Sequence, residues 1–357
     1  MPARAWSEVR HVDRLRQSQQ HRGDDRDHRL GGPANTIVKE CGVSKQLDPQ
    51  AATLIEKAIE AGNPEMYDLN PTEARTMFLE LSRGVAVEKV DVAKVSDCKV
   101  PGPSGNIPLR VYWPVNSSES LPVLVYFHGG GWVIGDLETH DPVCRWLSVR
   151  AQCVVVSVDY RMGPEHKFPA AADDCLAATE WVLSAGELAN VDPTRVAVGG
   201  DSAGGNLAAV VAHELRDSGT TPLSYQLLIY PATDLTRAEA SQTELAEGYR
   251  LTGTLMEWFI GHYLNKTEER TNPKASPLFF EDFSGLPPAL VITAGFDPLR
   301  DEGLRYNEKL VSAGVKTKYL CYEGMIHGFM SMGGWLDKGK EALDLAGDCL
   351  AESFSKN

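Results

Sequence analysis

A glycine-flanked serine constrains the fold more than any other feature of this chain. It lies in the segment Gly200-Asp201-Ser202-Ala203-Gly204, between the apolar run 196–198 and the helix-like stretch 206–215. The pattern is therefore strand, tight turn and helix. Glycines on both sides of a serine let the backbone turn sharply enough to expose the hydroxyl above a sheet, an arrangement called a nucleophile elbow. Because the same pattern also occurs in ordinary turns, its meaning depends on partners elsewhere in the chain.

A second glycine cluster follows the apolar run 123–127 and reads His128-Gly129-Gly130-Gly131-Trp132. Backbone N–H groups in such a loop can hold the oxyanion that forms when a serine attacks an acyl carbon. The N–H after the nucleophile completes the set. The predicted oxyanion hole therefore comprises Gly129, Gly130, Gly131 and Ala203. A flexible turn is the alternative interpretation of the three glycines taken alone.

Two downstream segments supply a candidate acid and a candidate base. Asp297 follows the apolar run 289–294, and His327 lies in a glycine-flanked loop after the last short strand pattern. Asp301 is the rival carboxylate, but it is predicted to lie one helical turn further on, so Asp297 is preferred. A helix N-cap is the alternative role for Asp297, and a structural role is the alternative for a lone histidine. The chain order Ser202, Asp297, His327 is typical of α/β-hydrolase triads, not of trypsin-like or subtilisin-like ones.

From about residue 121 to 335 the chain resembles the hormone-sensitive-lipase group of α/β hydrolases, the bacterial family IV carboxylesterases. The resemblance is carried by the segments 128–132, 159–170, 200–205, 297–303 and 327–329. It implies ester hydrolysis through an acyl-enzyme, with Ser202 as nucleophile, His327 as base and Asp297 as orienting acid. One departure is Met162-Gly163, where the family would have Leu-Ala before a Pro-Glu pair.

Strand and helix patterns alternate from Leu121 onward, which predicts parallel βαβ units. The predicted class is α/β, and the resemblance narrows it to an α/β-hydrolase fold, a central mostly parallel sheet flanked by helices with a helical cap. The catalytic domain is predicted over 83–357. Antiparallel strands are predicted over 85–92 and 107–113, around a turn-rich segment.

Residues 1–82 divide into two predicted parts. Residues 1–35 are rich in arginine and lack apolar periodicity, so they are predicted to be a disordered extension. Residues 36–82 are predicted to carry two helices, 49–60 and 71–81, with Asp48 as the N-cap of the first. In the resembling family, such helices join a later insertion to form a cap over the active site.

That insertion is predicted at about 232–285, because nearly sixty residues separate two consecutive strand patterns. It contains the aromatic-rich, helix-like stretch 254–264. Four residues are the candidate substrate-binding set: Trp132, Asp201, Trp258 and Phe259. Core packing is the alternative role, above all for Trp258.

Composition limits the partners. A formal net charge of −14 disfavours nucleic acid and anionic membrane surfaces and fits a neutral small-molecule ester substrate. No apolar run approaches the ~20 residues of a membrane span. Seven scattered cysteines without metal-ligand spacing predict reduced thiols, a cytoplasmic location and no metal. No organic cofactor is expected, because the sequence has no phosphate- or dinucleotide-binding glycine signature.

Other functions and the oligomeric state stay open from sequence. An amidase or lactonase could use the same triad. A non-catalytic ligand-binding member of the fold is less favoured, because all three triad residues and the glycine loop are present. A homodimer could form through the segment 315–320 as an edge strand, and the alternative is that its two lysines protect that edge.

Overall fold

A computed structural model describes residues 37–38, 46–184, 188–219 and 223–355. The extension predicted over 1–35 lies outside these residues. Within them the chain forms one sheet of nine strands, in the order β1-β9-β8-β7-β6-β4-β5-β3-β2. The strands are β1 Ile37–Val38, β2 Lys94–Gly102, β3 Gly105–Trp113, β4 Leu121–Phe127, β5 Val154–Val158, β6 Val191–Asp201, β7 Tyr225–Ile229, β8 Ala289–Phe296 and β9 Thr317–Ile326.

The strands β4 to β9 pair in parallel, and β3 joins them antiparallel through β5. The parallel strands read as near-continuous apolar runs because helices cover both of their faces. Side chains of β4 alternate accordingly: Val123 and Val125 pack into one hydrophobic core, and Leu124 and Tyr126 pack into the other. The predicted α/β class with a mostly parallel sheet is confirmed.

The predicted strand over 85–92 is wrong. Val85 ends a helix, and residues 86–93 form no regular secondary structure. The partner of β3 is instead β2, and their register pairs Gly102 with Gly105, which leaves a two-residue turn. Apolar alternation in 85–92 has another cause, since Val87 is buried against the core on one side of the sheet.

Nine α-helices flank the sheet in the described part of the chain. They are α1 Pro49–Glu60, α2 Pro71–Val85, α3 Asp141–Ala151, α4 Ala170–Leu183, α5 Ala203–Asp217, α6 Ser241–Glu244, α7 Gly253–Tyr263, α8 Arg300–Ser312 and α9 Asp337–Ser355. Helix α1 begins where predicted, and the side chain of Asp48 accepts a 2.8 Å hydrogen bond from the N–H of Gln50. Helix α2 begins with a capping box on Asn70 and runs four residues beyond its predicted end.

The segment 315–320, predicted to be an edge strand of the sheet, is not at the edge along its whole length. The outer side of β9 pairs with β1, which places Ile37 opposite Lys318 and Val38 opposite Tyr319. The prediction of an open edge over 315–320 is therefore wrong at these two positions. The sequence did not reveal this pairing because β1 has only two residues and lies 281 positions upstream of its partners (318 − 37).

Two further findings concern membrane and redox properties. None of the helices in the described ranges is both long and apolar enough to cross a membrane. Among the described residues, five cysteines are free, namely Cys98, Cys144, Cys153, Cys175 and Cys349. The prediction of reduced thiols is wrong for Cys321, which is disulfide-bonded.

Candidate active site

Ser202 lies at the tight turn between β6 and α5. Its backbone takes φ 55° and ψ −116°, a strained conformation for a residue with a side chain. Its N–H donates a 2.8 Å hydrogen bond to the carbonyl oxygen of Ile229 on β7, which holds the turn against the sheet. A Cβ on Gly204 would lie only 1.9 Å from the carbonyl oxygen of Phe127, so the helix can start this close to β4 only with glycine there. This geometry is the predicted nucleophile elbow.

His327 and Asp297 complete a hydrogen-bonded chain with this serine. The Nε2 atom of His327 lies 2.9 Å from the Oγ atom of Ser202, and its Nδ1 atom lies 2.7 Å from an Oδ atom of Asp297. The second Oδ atom of Asp297 accepts a bond from the N–H of Leu299, and the side chain is fully buried. Because a carboxylate only accepts hydrogen bonds, Nδ1 carries the proton and Nε2 is left to accept the serine proton.

Asp301 lies elsewhere. Its carboxylate accepts hydrogen bonds from Nε of Arg300 at 2.7 Å and from the N–H of Ser241 at 2.9 Å, on the first turn of α8. The bond from Ser241 connects α8 to the start of α6 in the inserted segment. The structure thus brings Asp297, and not Asp301, to the histidine.

The glycine loop after β4 lies directly beside the elbow. Gly130 and Gly131 take φ values of 124° and 58°, in the positive range that glycine adopts most readily. A Cβ on Gly131 would also lie 2.2 Å from the ring of Phe259. The N–H of Ala203, at the first position of a helix, has no acceptor within that helix. These three N–H groups are the oxyanion donors that the geometry supports.

Gly129 is a correction to the predicted oxyanion set. Its N–H donates a 3.0 Å hydrogen bond to an Oδ atom of Asp201, with the Nε2 atom of His140 a further 3.3 Å contact. This N–H is therefore engaged and cannot also hold an oxyanion. Gly129 instead ties the glycine loop to the elbow.

Asp201 anchors that connection. Besides Gly129, its carboxylate accepts a 2.8 Å bond from the hydroxyl of Tyr126 and lies 3.2 Å from Nε2 of His140. Burial alone would raise the pKa of Asp201, but the histidine and the tyrosine hydroxyl outweigh it and lower the pKa. Asp201 was predicted to bind substrate, and although it lies at the cavity wall, its oxygens serve these internal contacts. Tyr126 and His140 were missed because neither lies in a recognisable motif.

A cavity of about 540 Å³ opens above Ser202 and His327. Its walls are mainly apolar and come from α1, α2 and α7, including Leu54, Ile59, Met77, Phe78, Leu255 and Met256. Pockets of this size and character bury most of a small ligand. The N-terminal helices and the inserted helix thus share one cavity with the serine.

The predicted aromatic residues divide between two positions. Trp132 and Phe259 line the cavity, and the indole of Trp132 stacks on Tyr263 with 4.4 Å between ring centroids. Trp258 is not among the described residues that line it. Adjacent residues of a helix point about 100° apart, so Trp258 and Phe259 on α7 face different neighbours. The indole of Trp258 packs on His262, with 4.4 Å between ring centroids.

Within the described residues, no three His, Cys, Asp or Glu side chains are grouped as metal ligands. What the site contains is an activated hydroxyl, a base, a buried carboxylate and converging N–H groups. This constellation supports nucleophilic acyl transfer.

Comparison with known proteins agrees with this geometry. A family model described as alpha/beta hydrolase fold matches residues 124–331. Esterase LipI of Mycobacterium tuberculosis is 42% identical over 70% of this chain and 79% of its own length. Ethyl acetate hydrolase of Pseudomonas putida is 34% identical over 86% of this chain and 99% of its own. A solved ester hydrolase from the Lake Arreo metagenome is 42% identical, with a TM-score of 0.84 over 87% of this chain and 100% of that one.

Proposed function

Because the chain belongs to the hormone-sensitive-lipase-like group of α/β hydrolases and is a carboxylesterase, we propose that it hydrolyses short- to medium-chain esters through Ser202, His327 and Asp297. The observation that carries the assignment of residues is the continuous hydrogen-bonded chain from Ser202 through His327 to the buried Asp297.

The reaction follows from that chain in two steps. Ser202 Oγ attacks the ester carbonyl while Nε2 of His327 takes its proton, and the N–H groups of Gly130, Gly131 and Ala203 hold the oxyanion. The alcohol leaves with the proton from Nε2. Water then loses a proton to Nε2 and attacks the acyl-enzyme, which releases the acid and restores the serine hydroxyl. Asp297 stabilises the imidazolium in both steps.

Cavity size supports the proposed acyl length. A volume of about 540 Å³, closed by α1, α2 and α7, suits acyl chains of roughly two to eight carbons. One relative is named ethyl acetate hydrolase, and an acetyl group is at the short end of this range of acyl lengths. We propose that the three helices act as a cap whose apolar residues contact the acyl or alcohol group.

The test is a series of p-nitrophenyl esters from acetate to palmitate, assayed below and above the concentrations at which the long esters form micelles. We expect kcat/KM to peak at or below eight acyl carbons and to fall beyond. A steady rise to the sixteen-carbon ester, with a jump at the micellar interface, would contradict the esterase assignment in favour of a lipase. Lactones and anilides assayed on the same preparation test the lactonase and amidase alternatives.

Replacement of the nucleophile is the matched control. Ser202→Ala should lower ester turnover by several orders of magnitude and leave the fold intact, since the hydroxyl contributes little to packing. A pure sample that retains more than about a tenth of the wild-type rate would remove Ser202 from the mechanism.

A cytoplasmic location is part of the proposal. Five free thiols, four of them buried, support a reducing compartment, whereas the disulfide at Cys321 argues against one. Cell fractionation with an antibody against the chain decides between the two.

A further inference from the structure

Arg250 places a positive charge in the wall of the substrate cavity. Much of its side chain is solvent-accessible, yet burial by the surrounding protein lowers the pKa of its guanidinium. Both facts hold if the free surface of Arg250 faces the cavity and not bulk water. A cation there is unexpected, because the surrounding wall is mainly apolar.

The guanidinium has no acidic partner among the described residues. Its hydrogen bond runs from Nη1 to the sulfur of Met332, at 3.1 Å. A thioether is a weak acceptor and cannot balance a charge. Several other arginines in the described part of the chain lie against carboxylates, as Arg161 does on Asp174 at 2.8 Å and Arg237 does on Glu257 at 3.0 Å. A cation in a largely apolar cavity without such a partner is destabilising unless a ligand supplies a negative charge.

The position of Arg250 is close to the reacting groups. Its Nη1 atom lies 3.8 Å from the place that a Cβ on Gly328 would occupy, directly after His327. Two acidic residues, Asp201 and Glu65, are among the described residues that line the cavity. Asp201 is engaged by Tyr126 and Gly129, and Glu65 is exposed at the start of a short 3₁₀ turn, outside ion-pair distance of Arg250.

We infer that Arg250 is a specificity-determining residue that binds a carboxylate on the substrate, so that the preferred substrates are esters carrying one negative charge. The inference rests on the proposed esterase function and deepens it. Arginine suits this role because its planar fork binds a carboxylate through two parallel hydrogen bonds. The carboxylate could belong to the acyl group, as in a dicarboxylic acid half-ester, or to the alcohol, as in an esterified hydroxy acid.

This inference departs from the expectation of a neutral substrate. The net charge of −14 repels anions at long range, but that field is screened beyond about 10 Å in ordinary buffer. A guanidinium within a largely apolar cavity acts at contact distance, where screening is weak. The effect should therefore appear mainly in KM.

The experiment compares two isosteric pairs of substrates. Monoethyl glutarate against ethyl 5-oxohexanoate tests a carboxylate in the acyl group, and 4-acetoxybutanoate against 5-acetoxypentan-2-one tests one in the alcohol. In at least one pair the wild type should prefer the anion. Arg250→Leu should lower kcat/KM for that anion about 10- to 100-fold, chiefly through KM, and change the neutral partner less than about threefold. Arg250→Lys, which keeps the charge but not the fork, should be intermediate.

Arg83→Leu is the matched control, because Arg83 is an exposed arginine on α2 that does not line the cavity. It removes the same charge and should leave both ratios unchanged. Melting temperatures identify any variant that fails to fold.

Calorimetry separates this inference from the proposed function. In a Ser202→Ala background, where turnover is removed, the preferred anion should bind more tightly than its neutral partner, and Arg250→Leu should abolish the difference. Equal binding of both partners, or equal loss of both in Arg250→Leu, would overturn the role of Arg250. Failure of the wild type to hydrolyse any of the four esters would instead contradict the proposed function, and the binding comparison would still decide the role of Arg250.

Discussion

At the scale of single residues, Asp297 and Asp301 are chemically identical but differ in what they contact. Asp297 is fully buried and bonded to His327, whereas Asp301 is bonded to Arg300 and Ser241 at the start of α8. A buried carboxylate against Nδ1 fixes the tautomer and stabilises the imidazolium that forms during catalysis. A carboxylate in the first turn of a helix contributes stability instead.

The two carboxylates should therefore respond differently to the same substitution. Asp297→Asn should lower kcat about a thousandfold or more, because an amide can donate to Nδ1 and favour the wrong tautomer. Asp301→Asn should lower kcat far less and act mainly on the melting temperature. Steady-state kinetics with p-nitrophenyl butyrate measure both variants, and the reverse ranking would show that Asp301 is the orienting acid.

Local motifs were enough to predict most of the site. Ser202, Asp297 and His327 each follow an apolar strand pattern, so the sequence alone predicts that they converge at one edge of the sheet. Gly129 could not be assigned correctly, because the acceptor of its N–H, Asp201, lies 72 positions away. Arg250 gave no signal either, since a single arginine in an irregular segment has no period or spacing to interpret.

At the scale of elements, helix α2 is fastened to the active-site loops by Arg75. Its guanidinium donates 2.8 Å bonds to the carbonyl oxygens of Val133 and Gly163 and forms a two-point ion pair with Glu165. The bonds from Arg75 lower the pKa of Glu165 to about 2. Val133 follows the glycine loop, so this one side chain connects a wall of the cavity with the candidate oxyanion hole.

Loss of Arg75 should loosen that wall. Arg75→Ala should raise KM about three- to tenfold for short esters and lower the free energy of unfolding by about 1 to 3 kcal/mol, because two carbonyl groups lose a charged donor. Glu165→Gln is the control, since it keeps both carbonyl bonds and removes only a half-exposed ion pair worth less than about 1 kcal/mol. Urea unfolding at pH 8 measures the free energy of unfolding, and steady-state kinetics at the same pH measure KM. Equal effects of the two variants would mean that the ion pair, and not the carbonyl bonds, holds α2.

Helix starts were predicted better than strand pairing. Asp48 and Asn70 cap α1 and α2 through contacts within three residues, which a local pattern contains. Residues 85–92 alternate as a strand would, but the sheet position beside β3 is taken by β2, whose two-residue turn fixes the register. Segments that are far apart in sequence compete for the same position in a sheet, so local alternation alone cannot predict which strands pair.

At the scale of the whole molecule, two of the buried histidines, His128 and His213, have pKa values that burial lowers. His128 stacks on Tyr160 with 4.4 Å between ring centroids, and burial lowers its pKa to about 4. His213 stacks on Phe280 at 3.9 Å, and burial lowers its pKa to about 3. Both are neutral in the folded chain, whereas histidine in an unfolded chain has a pKa near 6.5.

This difference makes the fold sensitive to mild acid. Between pH 6.5 and the folded pKa values the unfolded chain binds more protons, so stability is fully present above about pH 6.5 and is lost as pH falls towards 4. The expected loss is about 2 kcal/mol per histidine between pH 6.5 and pH 4.5. It is measured as the free energy of urea unfolding at a series of pH values.

His213→Phe tests the origin of this loss. Phenylalanine can keep the stacking on Phe280 but cannot take up a proton, although it leaves the Tyr306 hydroxyl, 3.1 Å from Nε2 of His213, without that partner. The variant should therefore be less stable than the wild type at pH 7 and lose about 2 kcal/mol less between pH 6.5 and pH 4.5. If both proteins lose stability in parallel over this range, protonation of His213 is not coupled to unfolding, and the acid sensitivity arises from other groups.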